Sequence, residues 1–147
     1  MTAKEFLNKP WELNQRINDK LDKAERLRQE LYGRGISYDN TSHSPNSSID
    51  ALGRAVARIV DFEKEADDMI DRLVALKIEV EHQIAVLDDR RYRRILEERY
   101  LFFASFDKIA AELGYSKKHI YRLHDKAVNA LDEKLRQNAT ECPLTVS

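Results

Sequence analysis

The sequence predicts an all-α protein: a long N-terminal antiparallel helical hairpin, coiled-coil-like, followed by a C-terminal helix-turn-helix module. Three observations carry this. Apolar residues recur at helical spacing through most of the 147 residues. Only four Gly and three Pro are present to turn or break the chain. Charged residues make up 35% of it, against about 25% in an average globular domain. That balance suits long solvated helices better than sheets.

The elements follow in order. Thr2 and Glu5 have the spacing of a capping box ahead of Phe6 and Leu7. Pro10 interrupts or starts a helix, because proline is tolerated only in a first turn. From Trp11, the residues Leu13, Ile17, Leu21, Ala24, Leu27 and Leu31 line one helical face until Gly33 and Gly35 stop the run. A polar loop covers about 33–48, and Ser47 or Ser48 is placed to cap the next helix.

Ile49 to Leu87 reads as one helix with Gly53 as its only glycine. Leu52, Ile59, Ala66, Leu73, Val80 and Leu87 form a seven-residue series that is apolar throughout. A companion series holds Val56, Glu63, Ile70, Lys77 and Ile84, and a third holds Phe62, Met69 and Leu76. The apolar face is therefore wide, and packing on more than one partner helix is expected. Glu63 and Lys77 either fix register within the seam or reach water from its edge. Asp88 and Asp89 break the chain and cap a helix from Arg90 to Phe103. Ser105 caps a short helix to Leu113, Gly114 turns the chain, and Ser116 caps a last helix to about Gln137. The expected divisions are 1–87 for the hairpin, 88–137 for the helix-turn-helix and 138–147 for a disordered tail.

Charge is unevenly spread. Residues 1–89 hold 13 Lys and Arg against 18 Asp and Glu, a net of −5, whereas residues 90–137 hold 12 against 7, a net of +5. A basic module behind an acidic one is the footprint of a DNA-binding end joined to another functional part. No run approaches the roughly 18 apolar residues of a membrane span, so no membrane partner is expected. The N-terminus is too charged for a signal peptide. The single Cys142 cannot form an internal disulfide. The cytoplasm is the expected compartment.

Within the C-terminal module, Ala110 supplies the small residue where two helices touch. Gly114 supplies the turn and Ser116 the cap. Ile109, Leu113, Ile120, Leu123, Ala127 and Leu131 form the apolar side. The opposite side of the last helix carries Lys117, Lys118, His119, Tyr121, Arg122 and Lys126. In a helix-turn-helix, residues in the first turns of the second helix reach base edges, and its N-terminus approaches phosphate. Arg122 and Lys118 can donate to guanine, while Tyr121 and His119 can contact bases or phosphates. Upstream, Arg90, Arg91, Arg93 and Arg94 form a cluster suited to phosphate contacts. The bland alternatives are a generic helical hairpin and a solvated arginine face.

Residues 86–135 resemble region four of bacterial sigma factors. The resemblance rests on Arg91-Tyr92-Arg93-Arg94-Ile95-Leu96-Glu97-Glu98-Arg99-Tyr100, on the segment Ile109 to Ser116, and on the ending Lys126 to Leu131. The whole chain, with its helical N-terminal half, looks like the ArpU/RinA-like transcriptional regulators of phages and prophages of Gram-positive bacteria. The first resemblance implies that Lys117, Lys118 and Arg122 contact promoter DNA. The N-terminal half has no segment resembling sigma region two, so promoter melting is not implied. An activator that recruits or supplements host RNA polymerase is.

Other chemistry finds little footing. His119 and His124 are five apart and share no helix face, and no Cys pair accompanies them or His43 and His82, so no metal site is expected. Glu63, Glu65, Asp67, Asp68 and Asp71 read as a solvated acidic face. No nucleophile motif or Gly-rich phosphate loop is present. Neither an enzyme nor a cofactor is expected. The leading expectation is a sequence-specific DNA-binding regulator of transcription, a late-gene activator. Its acidic hairpin would form a homodimer or contact polymerase. The alternatives are a small terminase-like packaging subunit, which would form a ring, and a protein-interaction adaptor that does not bind DNA.

Overall fold

The computed structural model describes residues 1–33 and 45–141, with side chains over 1–33 and 49–139. All regular structure among these residues is helical. Five α-helices follow one another: α1 (Ala3–Gly33), α2 (Pro45–Ala85), α3 (Arg90–Leu96), α4 (Phe106–Leu113) and α5 (Lys117–Glu141). A π-helical turn, Glu97–Leu101, continues α3. Among the described residues no helix is long and apolar enough to cross a membrane.

Several expected signals act as read. Thr2 Oγ1 accepts from the Glu5 amide at 3.3 Å, and Glu5 Oε2 accepts from the Thr2 amide at 3.2 Å, a reciprocal capping box. Asp89 accepts from the Arg91 amide at 2.8 Å and caps α3. Gly33 ends α1; Gly35 lies outside the described residues.

Other expectations need correction. Pro10 neither starts nor breaks α1 but lies inside it, fully buried. Proline gives up one backbone donor there, and the burial of its ring offsets part of that loss. Helix α2 begins at Pro45, so Ser47 and Ser48 stand within its first turns and not at its cap. Proline suits a first helical position, where its missing N–H has no helical acceptor to lose. Residues 34–44 of the expected polar loop lie outside the described residues. Asn138 to Glu141 remain helical in α5, against the expected end at Gln137. The rest of the expected tail, 142–147 with Cys142, lies outside the described residues.

Packing divides the chain into two compact units: Met1–Glu12 with Leu73–Ser147, and Leu13–Arg72. This division does not fall at the expected boundary of 87/88. In the first unit, Ala3, Leu7, Val80, Ile84, Leu87, Leu96, Tyr100, Leu101, Ala127 and Leu131 share one core. The opening turns of α1 are thus part of the C-terminal unit. The Ala3 amide also donates to Asp132 Oδ1 at 3.0 Å, tying α1 to α5.

In the second unit, Ala24, Ile59 and Phe62 pack together with Leu27 and Leu31. Lys20 pairs with Glu65 at 2.7 Å and Arg28 pairs with Glu63. Positions rising along α1 meet positions falling along α2, so the helices run antiparallel within this unit. The leading heptad series is the buried one: Ile59, Ala66, Leu73, Val80 and Leu87 are all buried, while Leu52 is exposed. The companion series is not buried as a whole, since Val56 and Ile70 face solvent. Glu63 pairs across to α1, and the Lys77 ammonium lies 4.6 Å from the Phe103 ring centre.

Candidate nucleic-acid interface

The helix-turn-helix assembles from local chemistry. Ser105 Oγ accepts from the Lys108 amide at 3.2 Å and starts α4. Gly114 ends it in the left-handed conformation, φ 74°, with its amide donating to Ala110 O at 3.0 Å. The Tyr115 amide reaches the same carbonyl at 3.1 Å. A positive φ at this point is what glycine allows and other residues resist. Ser116 Oγ then accepts from the His119 amide at 3.2 Å, starting α5. Such a cap contributes about 1 kcal/mol. Ile95, Ala104, Ile109, Ala110, Ile120 and Leu123 close a core beneath the turn, with Tyr92, Phe106 and Leu113 at its edge.

On α5 the expected contact residues separate into two sets. Lys118, Arg122 and Lys126 are exposed and spaced four apart, so they share one line along the helix. Tyr121 and His119 are engaged by rings: Tyr121 packs on Phe106 at 4.7 Å, and His119 meets Tyr115 edge-on at 4.9 Å. Lys117 is exposed but paired with Asp107 of α4 at 3.0 Å, and that hydrogen bond raises its pKa. Ser116 acts through its cap.

The arginine cluster also divides. Arg91 forms two hydrogen bonds with Asp89, Nη2 to Oδ2 at 3.1 Å and Nε to Oδ1 at 3.4 Å. These bonds hold the Asp89 carboxyl below its ordinary range and push the Arg91 guanidinium up. Arg94 pairs with Glu98 one turn on, at 3.2 Å. Arg90 is exposed. Arg93 instead braces the fold. Its Nη1 donates to Leu87 O at 2.5 Å and Asp88 O at 3.1 Å, satisfying carbonyls beyond the end of α2. What remains is a basic surface with internal carboxylates, and such pairs are weak enough at the surface to open toward phosphate.

A model of one protein family, described as a protein of unknown function (DUF1492), matches residues 49–132. The chain belongs to the DUF1492 family. No curated protein and no solved structure matches the chain. The DUF1492 segment takes in α2 from Ile49, then α3, α4 and α5 as far as Asp132. Every candidate contact residue lies inside it.

Three features of the DUF1492 segment escaped sequence reasoning. The stretch expected to be helical to Phe103 ends in a π turn, with the Phe102 amide bonded to Glu97 O at 3.2 Å and the Ala104 amide to Glu98 O at 2.9 Å. Phe103 has φ 57°, a strained value for a bulky residue. Its ring meets Trp11 edge-on at 5.7 Å and lies under Lys77. Second, Tyr100 Oη and His124 Nε2 meet at 2.6 Å in the interior. Burial holds the His124 pKa down, and burial raises that of Tyr100. Third, Lys108 is exposed in the first turn of α4, where a helix-turn-helix passes the phosphate backbone. A basic residue two positions after the α4 start was the available signal. Among the described residues, no group of three His, Cys, Asp or Glu side chains converges to hold a metal ion.

Proposed function

We propose that the chain is a sequence-specific regulator of transcription that binds double-stranded DNA. The reading makes it a phage or prophage late-gene activator working beside host RNA polymerase, in the cytoplasm or nucleoid of a bacterial host. One observation carries the reading. Lys118, Arg122 and Lys126 form an exposed basic line along a helix that starts at the Ser116 cap, directly after the Gly114 turn. A capped helix N-terminus offers backbone amides to phosphate, and side chains four apart on such a helix suit a major groove. The resemblance to sigma region four and to the ArpU/RinA-like regulators supports the polymerase part. The reading assigns no catalytic step and no cofactor to the chain.

In this reading Arg122 and Lys118 read base edges. Arg90, Arg91, Arg94 and Lys126 contact phosphates, the pairs with Asp89 and Glu98 giving way as the backbone approaches. Tyr121 and His119 shape the surface through their ring contacts. The test is selection from a random duplex pool, followed by titration of the selected duplex and a scrambled one across salt. Preference for the selected duplex supports a regulator. Equal affinity for both overturns it, and a large ring in a mass measurement favours a packaging subunit instead.

A further inference from the structure

One ion pair of the candidate interface joins the two helices of the helix-turn-helix. Lys117 is the first residue of α5 and Asp107 the second of α4, and Nζ lies 3.0 Å from Oδ1. Both side chains are well exposed, Lys117 at 53% and Asp107 at 73%. A second contact directs the ammonium the same way. It lies 5.9 Å from the centre of the Tyr121 ring, and Tyr121 packs on Phe106, the neighbour of Asp107. Lys118, one residue on, is exposed and has no acidic partner among the described residues.

What a pair leaves behind on opening decides whether it opens toward DNA. When Arg91 turns to a phosphate, Asp89 still accepts from the Arg91 amide at 2.8 Å as the cap of α3. Asp107 has no second partner among the described residues. It stands next to Lys108 in the first turn of α4, where a helix-turn-helix passes the phosphate backbone. Releasing Lys117 there would set a bare carboxylate beside phosphate, two like charges at close range. The repulsion offsets the phosphate contact that Lys117 would gain.

We propose that Asp107 is a positioning residue that holds Lys117 off the DNA, so that the pair enters the complex intact and adds no net charge to it. The proposal rests on the DNA reading, and it replaces the promoter contact that the resemblance to sigma region four implies for Lys117. Its consequence is a brake on affinity. Binding that ignores sequence grows with every cation free to meet a phosphate. With Lys117 withheld, the start of α5 meets DNA through Lys118 and Arg122.

The test titrates the full chain and its variants with a pool-selected duplex and a scrambled one across salt. Asp107→Ala frees Lys117 for a phosphate. It should steepen the fall of log affinity with log salt by about 0.9 and tighten binding to both duplexes about eightfold near about 0.1 M salt. Asp107→Asn keeps the side-chain shape and should move both readouts in the same direction. Asp107→Ala combined with Lys117→Ala removes a pair of zero net charge, so it should keep the native slope and affinity. A double variant whose slope falls by about 0.9 would mean that Lys117 meets phosphate in the native complex. That result, or an unchanged slope in Asp107→Ala, overturns the proposal. Either result with native binding that still prefers the selected duplex removes this proposal alone. Native binding that does not distinguish the duplexes removes the regulator reading itself.

Discussion

Tyr100 and His124 meet at 2.6 Å through Oη and Nε2, inside the unit that carries the helix-turn-helix. Asp125 Oδ1 stands 3.3 Å from the other ring nitrogen, and the Phe106 ring packs edge-on against the imidazole at 5.1 Å. Burial is the main cause of the depressed His124 pKa, with the Asp125 hydrogen bond opposing it. The proton therefore binds the unfolded chain more readily than the folded one. Stability from this site is complete above the unfolded imidazole pKa of about 6.5. It declines as pH falls from there toward the lower folded value. Urea midpoints measured on either side of that pKa should drop on acidification for the native chain and change less for His124→Gln. Tyr100→Phe should cost about 1–3 kcal/mol, because it leaves a buried nitrogen without its partner.

At Gly114 the expected cost is conformational alone. A Cβ there meets nothing within 4 Å, yet φ is 74°. Gly114→Ala should lower stability by about 1–2 kcal/mol, and Gly114→Asn by less, because asparagine tolerates this region. Thermal unfolding monitored by circular dichroism reads the difference.

Much of this architecture was legible because its signals are local. Thr2 with Glu5, Asp89, Ser105, Gly114 and Ser116 each act within four residues of themselves, and short-range chemistry is written in short-range sequence. The heptad series of α2 was legible because burial repeats with the helix. What was not legible depends on distant partners. Leu7 gives no sign that it packs in the same core as Leu131 and not with the hairpin. The apolar residue Leu21 fits the α1 pattern as well as Ile17 does, yet it is exposed. Arg93 looks like its neighbours and differs only through the two carbonyls that it reaches. Phe103, just after the π turn, packs against Trp11 and Lys77, which lie far away in sequence.

That difference among the arginines is testable. Arg93→Ala should lower stability by about 1–3 kcal/mol, since it removes charge-assisted bonds to two carbonyls. Arg94→Ala loses a half-exposed pair with Glu98 and should change stability by less than about 1 kcal/mol. Urea titration of both variants, beside DNA titration across salt, separates the roles. A reduced salt slope is expected for Arg94→Ala only.

The packing of α1 into the C-terminal unit makes a further prediction. Leu7 is fully buried there, so Leu7→Ala should cost about 2–5 kcal/mol. A fragment starting at Asp88 loses Ala3, Leu7, Val80, Ile84 and Leu87 from the shared core. It should unfold without a cooperative transition, whereas the full chain should show one.

The central claim is that the exposed line of α5 reads DNA sequence. Its most direct measurement is the affinity of the full chain and of Arg122→Ala for a pool-selected duplex and for its scrambled form, across a salt series. The account predicts that Arg122→Ala costs about 1–3 kcal/mol on the selected duplex and narrows the gap between the two duplexes. Unchanged affinity and an unchanged gap in Arg122→Ala, or native binding that does not distinguish the duplexes, would contradict it.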